Sequence, residues 1–343
     1  MRSRFICSVV IELVVLFVVS TFAEQTESLG DAARRLRLEK QNASQPTIVP
    51  DGSAKPSQVN GVTLVPFGGP VSRLQILAWI VGGVSEEDLV YELKTSGLSF
   101  EPDDACLREI GAISSDRVTH ELETAPKHLE GSQSNKSDAV EQMSKVATAA
   151  KKKDYRGALN VLKPLLQADS SNPDLLFAVG GILIAAEDWS RSMMVLARAI
   201  QVSPDFPYAH GQLSYSYYRM GSGEAAVSEA RIVVKMRPNS SDAHKLLGLG
   251  LSIEEDYSGA LKEYNEAIRL NPNNANVYYD IGVMRVDQND WESAVTAYQK
   301  SLKLKPGNEK VYNNLGIALD KAGRLNDAIE AFEKRSRLGR PWA

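Results

Sequence analysis

The stretch ALKEYNEAIRLNPNNANVYYDIG, residues 260 to 282, decides how this chain folds. It builds one apolar-periodic helix, ends it at Asn271-Pro272, and begins another at once. Residues 294 to 316, AVTAYQKSLKLKPGNEKVYNNLG, repeat the small residue, the aromatic four places later, the proline and the closing glycine after a shift of 34. The unit is therefore a repeat, and the remaining sequence is read in its register.

Registering the period on its prolines gives six units: 139 to 172, 173 to 206, 207 to 240, 241 to 274, 275 to 308 and 309 to 342. Pro204, Pro238, Pro272 and Pro306 stand at unit position 32, and Pro341 slips by one. Proline lacks the N–H and disfavours helix for the residue before it, so each marks the end of a second helix. Position 8 is Gly180, Ser214, Gly248, Gly282 and Gly316, and position 20 is Ala158, Ser192, Ala226, Ala260, Ala294 and Ala328. Small residues at both places let the two helices of a unit approach closely. Position 24 carries Leu162, Leu196, Tyr264, Tyr298 and Phe332, which fill the space between helices.

On these residues the chain resembles the tetratricopeptide repeat family over about 204 of its 343 residues. The match is weakest in the first unit, where Pro164 falls inside the second helix. The resemblance implies an all-α fold, an α-solenoid of about six 34-residue helix-turn-helix repeats whose first helices line a groove. Position 27 is small where a next unit packs, as at Ala199, Ala267 and Ser301; in the last unit it is Arg335, followed by Ser336, which suits a face that ends in water.

Ahead of the array the sequence divides into shorter segments. Residues 1 to 23 carry Arg2 and Arg4, an apolar run, then Thr21 and Ala23 placed as in a small-residue cleavage site. They are read as an export signal, with an uncleaved membrane tether through residues 5 to 23 as the alternative; either puts the rest outside the cytoplasm, periplasmic or secreted. Residues 24 to 70 form a polar, disordered linker with a short amphipathic helix at SLGDAARRLRLEKQ, 28 to 41. That helix resembles a segment following the signal peptides of exported acidobacterial proteins. Residues 71 to 125 make four short helical patterns with eleven acidic against four basic side chains, and this acidic module has either a solvated surface or a docking face for a basic partner. A similar small helical region stands ahead of repeat arrays in exported acidobacterial proteins. Residues 126 to 138 are a second linker.

Charge and chemistry narrow the function. The net charge is −4, and removing two Arg and one Glu with residues 1 to 23 makes it −5, so there is no basic excess for nucleic acid. Cys106 is the sole cysteine beyond the signal segment, which leaves no internal disulfide. His210 and His244 share unit position 4 and are assigned to packing, and the DQNDWE stretch from Asp287 lacks the glycine of a calcium loop. No phosphate loop, nucleophile elbow or paired-cysteine motif occurs, so neither an enzyme nor a cofactor or metal is expected.

The resemblance directs attention to unit positions 2, 5, 9, 12 and 13, which should face the groove. There stand Phe177 from the second unit and Tyr208, Tyr215, Tyr218 and Arg219 from the third, aromatics with an arginine of the kind that anchor protein interfaces. Lys245 follows in the fourth unit, and the last two units turn polar with Asn276, Tyr279, Asp280, Lys310, Asn313 and Asn314. Asparagines here could hydrogen-bond an extended peptide. Leu249 replaces the asparagine of the Lys–Asn clamp with which co-chaperone repeats hold a C-terminal carboxylate, and Leu246 and Asp280 interrupt an asparagine ladder, so neither specialised form is complete. The reading is a non-enzymatic scaffold or adaptor for protein or peptide partners. The alternatives are a membrane-tethered envelope assembly or structural factor, and a homodimer formed through the C-terminal repeat.

Overall fold

Unit position 15 has a positive φ in all six repeats: Lys153 (61°), Glu187 (60°), Gly221 (72°), Glu255 (60°), Asn289 (58°) and Gly323 (77°). This left-handed residue ends the first helix of each unit and turns the chain into the second. The residue after it caps that second helix, Asp154, Asp188, Asp256 and Asp290 each accepting a hydrogen bond from the backbone N–H three places on. A computed structural model describes residues 58–59, 62–63, 67–129 and 138–338. These belong to one unit, Lys55–Ala343; the other, Met1–Ala54, lies outside the described residues, and with it the expected export segment and the helix at 28 to 41.

A short antiparallel ladder, β1 (Gln58–Val59) with β2 (Val62–Thr63), comes first. Four short helices follow, α1 (Arg73–Gly82), α2 (Glu86–Ser96), α3 (Asp104–Ile113) and α4 (Asp116–Thr124). Ser72 and Gln75 form a capping box at α1, while Ser85 and Asp103 cap α2 and α3. Leu98, fully buried, is strapped on both sides: Val71 donates to Gly97 O (2.9 Å), and Leu98 exchanges hydrogen bonds with Pro126 O and the His128 N–H (both 2.7 Å). Residues 126 to 128, read from sequence as the start of a linker, are thus hydrogen-bonded into this bundle.

Twelve helices then pair in sequence: α5 (Asp138–Lys151) with α6 (Tyr155–Ala168), α7 (Pro173–Ala185) with α8 (Trp189–Val202), and α9 (Pro207–Arg219) with α10 (Gly223–Met236). The series continues with α11 (Ser241–Ile253) and α12 (Tyr257–Leu270), α13 (Ala275–Asp287) and α14 (Trp291–Leu304), then α15 (Glu309–Lys321) and α16 (Leu325–Leu338). Apart from the β1–β2 ladder, the described residues are all-helical, and the paired helices form a solenoid in which first helices α7, α9, α11, α13 and α15 touch one another in series.

The packing within a hairpin explains its small residues. A Cβ added to Gly180, Gly248, Gly282 or Gly316 would lie within 2.6 Å of the position-24 side chain of its own unit, Leu196, Tyr264, Tyr298 or Phe332. Ser214, the one serine at that place, instead donates to Ala226 O at 2.8 Å, and Ser192 at position 20 donates to Gly180 O at 3.0 Å. The close approach is therefore kept whether the contact is bare backbone or a buried hydroxyl. One apolar core runs without a break from Val71 and the α1–α4 bundle to Leu213 in α9, with smaller clusters under the later hairpins.

Candidate interaction surface

The surface lined by the first helices is divided in two, because the N-terminal bundle lies on part of it. Helix α1 runs against α7 at backbone contact: a Cβ on Gly181 would stand 2.5 Å from Gly82 Cα, and one on Gly82 would meet the Phe177 ring at 2.1 Å. The Trp79 indole donates to Asp174 at 2.7 Å, and the Gln212 amide donates to Gly82 O at 2.9 Å. Phe67, Trp79, Phe177, Phe206 and Tyr208 form one aromatic cluster, the stacked pair Phe67–Phe206 having centroids 5.0 Å apart. The Phe67 N–H also donates to Asp205, so the end of the segment read as linker is part of this contact.

Acidic side chains of α2 meet a cation of the array, Arg237, here. Arg237 pairs with Asp88 (2.8 Å) and Glu92 (2.5 Å), the Tyr208 hydroxyl donates to Glu92 (2.8 Å), and the guanidinium lies 4.1 Å over the Tyr91 ring. Ser240 donates to Asp88 and Asn271 to Glu87. Burial pushes the Asp88 carboxyl up to about 6 against the pull of Arg237. The acidic face of the bundle is thus engaged with its own array, a third outcome beside the solvated surface and the external partner considered from sequence.

Two expected groove residues are corrected by this arrangement. Phe177 is fully buried and Tyr208 is 9% exposed, because Gly82, Trp79, Phe67 and Glu92 occupy the space a partner would need. Their aromatic surface belongs to the internal contact.

Beyond the bundle the surface is open. Tyr215 and Tyr218 stack at 5.9 Å and 28°, Trp189 packs edge-on against Tyr215 at 6.0 Å, and the exposed Arg219 lies 4.3 Å above the Trp189 ring. The groove register of the sequence does not include Trp189; it opens a second helix, outside those positions, though it follows the turn that brings it beside Tyr215. Lys245 is partly buried and donates to Asp242 at 2.7 Å, and Ser85 of the bundle also reaches Asp242, so this pair sits at the border of the two halves.

Farther along, Tyr279 packs on Tyr298 at 5.9 Å and accepts from Asn314 at 3.3 Å, while Asn313 accepts from Arg335 at 2.7 Å and contacts Asn314. Asn276 and Lys310, at the first turns of their helices, are exposed, and their side chains stand apart from this network among the described residues. A recess of about 320 Å³ opens between the Tyr218–Arg219 end of α9 and helices α11, α12 and α13, with Leu249, Tyr264, Asp280 and Asp287 in its wall. Burial raises Asp280 to about 7; Lys245 opposes and Asp242 adds to the rise. Burial also raises Tyr218 to about 12 and Asp287 above its ordinary value.

The two array histidines are structural brackets. His210 Nε2 donates to Pro204 O (3.0 Å) while Nδ1 pairs with Glu229 (2.6 Å); one repeat later His244 does the same with Pro238 O (3.0 Å) and Glu263 (2.7 Å). Each ties the proline turn to the hairpin that follows. Among the described residues no cluster of His, Cys, Asp and Glu could hold a metal, and no helix is long and apolar enough to cross a membrane.

Comparison with known proteins agrees with the repeat. A family model described as TPR repeat matches residues 253–285 and 283–323, which supports that family for the second half of the array. No curated protein matches the sequence. Among solved structures the chain is similar to MamA at 22% identity, over 47% of this chain and 94% of that one with a TM-score of 0.38. It is similar to a thermophilic TPR protein of Thermus thermophilus at 18% identity, over 49% and 92% with a TM-score of 0.46. YrrB, described as a TPR protein with an unusual peptide-binding site, is 15% identical over 52% and 92% with a TM-score of 0.36.

Proposed function

We propose that this chain is a non-enzymatic adaptor that binds protein or peptide segments on the part of its inner face that the N-terminal bundle leaves open. One observation carries the reading: Trp189, Tyr215, Tyr218 and Arg219 form a partly exposed aromatic–cation platform bordering a recess, whereas Phe177 and Tyr208 are covered. Rigid aromatics with an arginine give large contact area for little lost side-chain freedom, which is why they dominate interface energetics. The polar stretch Tyr279, Asn313 and Asn314 extends the surface with groups that can hydrogen-bond a peptide backbone.

The proposal includes action outside the cytoplasm, on the strength of Arg2, Arg4 and the apolar run that follows them. A second reading, assembly through the last hairpin into a dimer or envelope complex, is favoured by Leu325 (61% exposed), Ile329 (51%) and Phe332 (37%) on α16. Selection of random linear peptides on the full chain, counter-selected with Tyr218→Ala/Arg219→Ala, tests the first reading. Peptides lost on the double variant are expected; peptides that bind both chains equally place binding elsewhere. Sedimentation of the full chain with and without Ile329→Glu tests the second reading.

A further inference from the structure

We propose that the recess beside Tyr218 receives a cationic side chain, lysine or arginine, of a bound peptide; this rests on the peptide-binding reading above and names the residue the surface selects. Asp280 and Asp287 stand at positions 6 and 13 of the same unit and line the recess, and neither has an ion-pair partner among the described residues. The nearest cations are already engaged, Lys245 with Asp242 and Arg219 over the Trp189 ring. The wall therefore presents two carboxyl groups without a direct ion pair, Lys245 acting on Asp280 only from its own pairing with Asp242.

A second, independent observation points the same way. Tyr264 is fully buried, its ring packed over Gly248, and its hydroxyl lacks any hydrogen-bond partner although it lies at the recess. The equivalent tyrosine one repeat later, Tyr298, packs on Tyr279 beside the Asn314 amide, which donates to the Tyr279 hydroxyl at 3.3 Å. The residue that corresponds to Asn314 in register is Asp280, so a carboxyl group stands where the next repeat has an amide donor. The large majority of buried hydroxyls in folded proteins are hydrogen-bonded, so a partner is missing from this site.

An ammonium or guanidinium supplies it. Its N–H groups can donate to Asp280, Asp287 and the Tyr264 hydroxyl together, while the Tyr218 ring offers a π-face to the charge. Leu249 and Val283 give the aliphatic stem an apolar wall, the mixed environment that long basic side chains prefer. An acidic or purely apolar side chain leaves the carboxylates and the hydroxyl unmet.

The test uses peptides selected from a random linear library on the full chain, measured by fluorescence anisotropy. The selected sequences should share one lysine or arginine whose replacement by alanine weakens binding about tenfold. Asp280→Asn, which installs the residue the next repeat uses, should weaken the basic peptide about tenfold, leave the alanine peptide unchanged, and still unfold in one cooperative transition. Tyr264→Phe should remain folded and weaken the basic peptide by a smaller factor.

Peptides that need Tyr218 and Arg219 yet share no basic residue, or that ignore Asp280→Asn, overturn this inference and leave the interaction surface standing. Failure to select any peptide dependent on Tyr218 and Arg219 overturns both.

Discussion

Arg237 of the array closes on Asp88 of the N-terminal bundle at 2.8 Å, with both side chains 11% exposed, and the same guanidinium holds Glu92. Truncating Arg237 leaves two buried carboxylates without their cation, so Arg237→Ala should cost about 3–5 kcal/mol in denaturant unfolding. The sign of the variant's pH response follows. Burial already holds the Asp88 carboxyl above its unfolded value and the variant removes the opposing pull of Arg237, so the loss should shrink as pH falls from 7 towards 5. A loss below about 1 kcal/mol with no pH response would mean the pair is solvent-screened.

Gly181 meets Gly82 backbone to backbone, and a methyl group there has nowhere to go. Gly181→Ala should separate α1 from α7 and cost about 1–3 kcal/mol. Gly307→Ala, in open space, should stay within about 0.5 kcal/mol of the parent. Thermal unfolding of the pair distinguishes a packing defect from a generic effect of losing glycine.

Phe177 is a folding residue. Phe177→Ala should cost about 3–5 kcal/mol through the cavity it opens in the aromatic cluster. Tyr218→Ala/Arg219→Ala should leave the melting temperature within a few degrees while removing peptide binding. Reversed behaviour of the two variants would exchange the assigned roles.

The left-handed turn at position 15 offers a stabilising change. Glu187 and Glu255 hold φ near 60° with a Cβ that disfavours it, whereas the third and sixth units use glycine. Glu187→Gly and Glu255→Gly should each raise stability by about 0.5–1 kcal/mol. Destabilisation by either would show that the looser unfolded chain outweighs the relieved strain.

Burial raises Asp174 to about 6 and Asp280 to about 7, above their unfolded values. Between pH 4 and 7 the folded state therefore keeps protons that the unfolded chain releases, so these groups make stability rise as pH falls through that window. Around Asp280 stand Lys245 and Asp242 from α11, Tyr218 from α9, Tyr264 from α12 and Tyr279 on its own helix. Asp280→Asn should flatten the upper part of the profile and Asp174→Asn the lower part, as read by unfolding midpoints from pH 5 to 8.

The solenoid is legible in the sequence because its signals are local: a proline fixes where a helix ends, and small residues at positions 8 and 20 report a contact inside the same unit. Trp189, Tyr215, Tyr218 and Arg219 illustrate the limit. Periodicity marks three of them as groove-facing, but which aromatics remain open depends on what else lies there. Phe177 and Tyr208 carry the same signal and are covered, because Gly82, Trp79 and Glu92, which touch them, come from a segment 95 to 129 residues earlier in the chain, whose docking no local pattern encodes. The orphan hydroxyl of Tyr264 is visible only against Tyr298 and Asn314, where one amide replaces one carboxylate.

The measurement that tests the division of the inner face most directly is hydrogen exchange on the full chain with and without a selected peptide. New protection is expected along α9, α11 and α13, from Tyr215 to Asp287, with α1, α2 and α7 unchanged. Protection appearing on α7 together with faster exchange in α1 and α2 would contradict the division, because the peptide would then be displacing the N-terminal bundle.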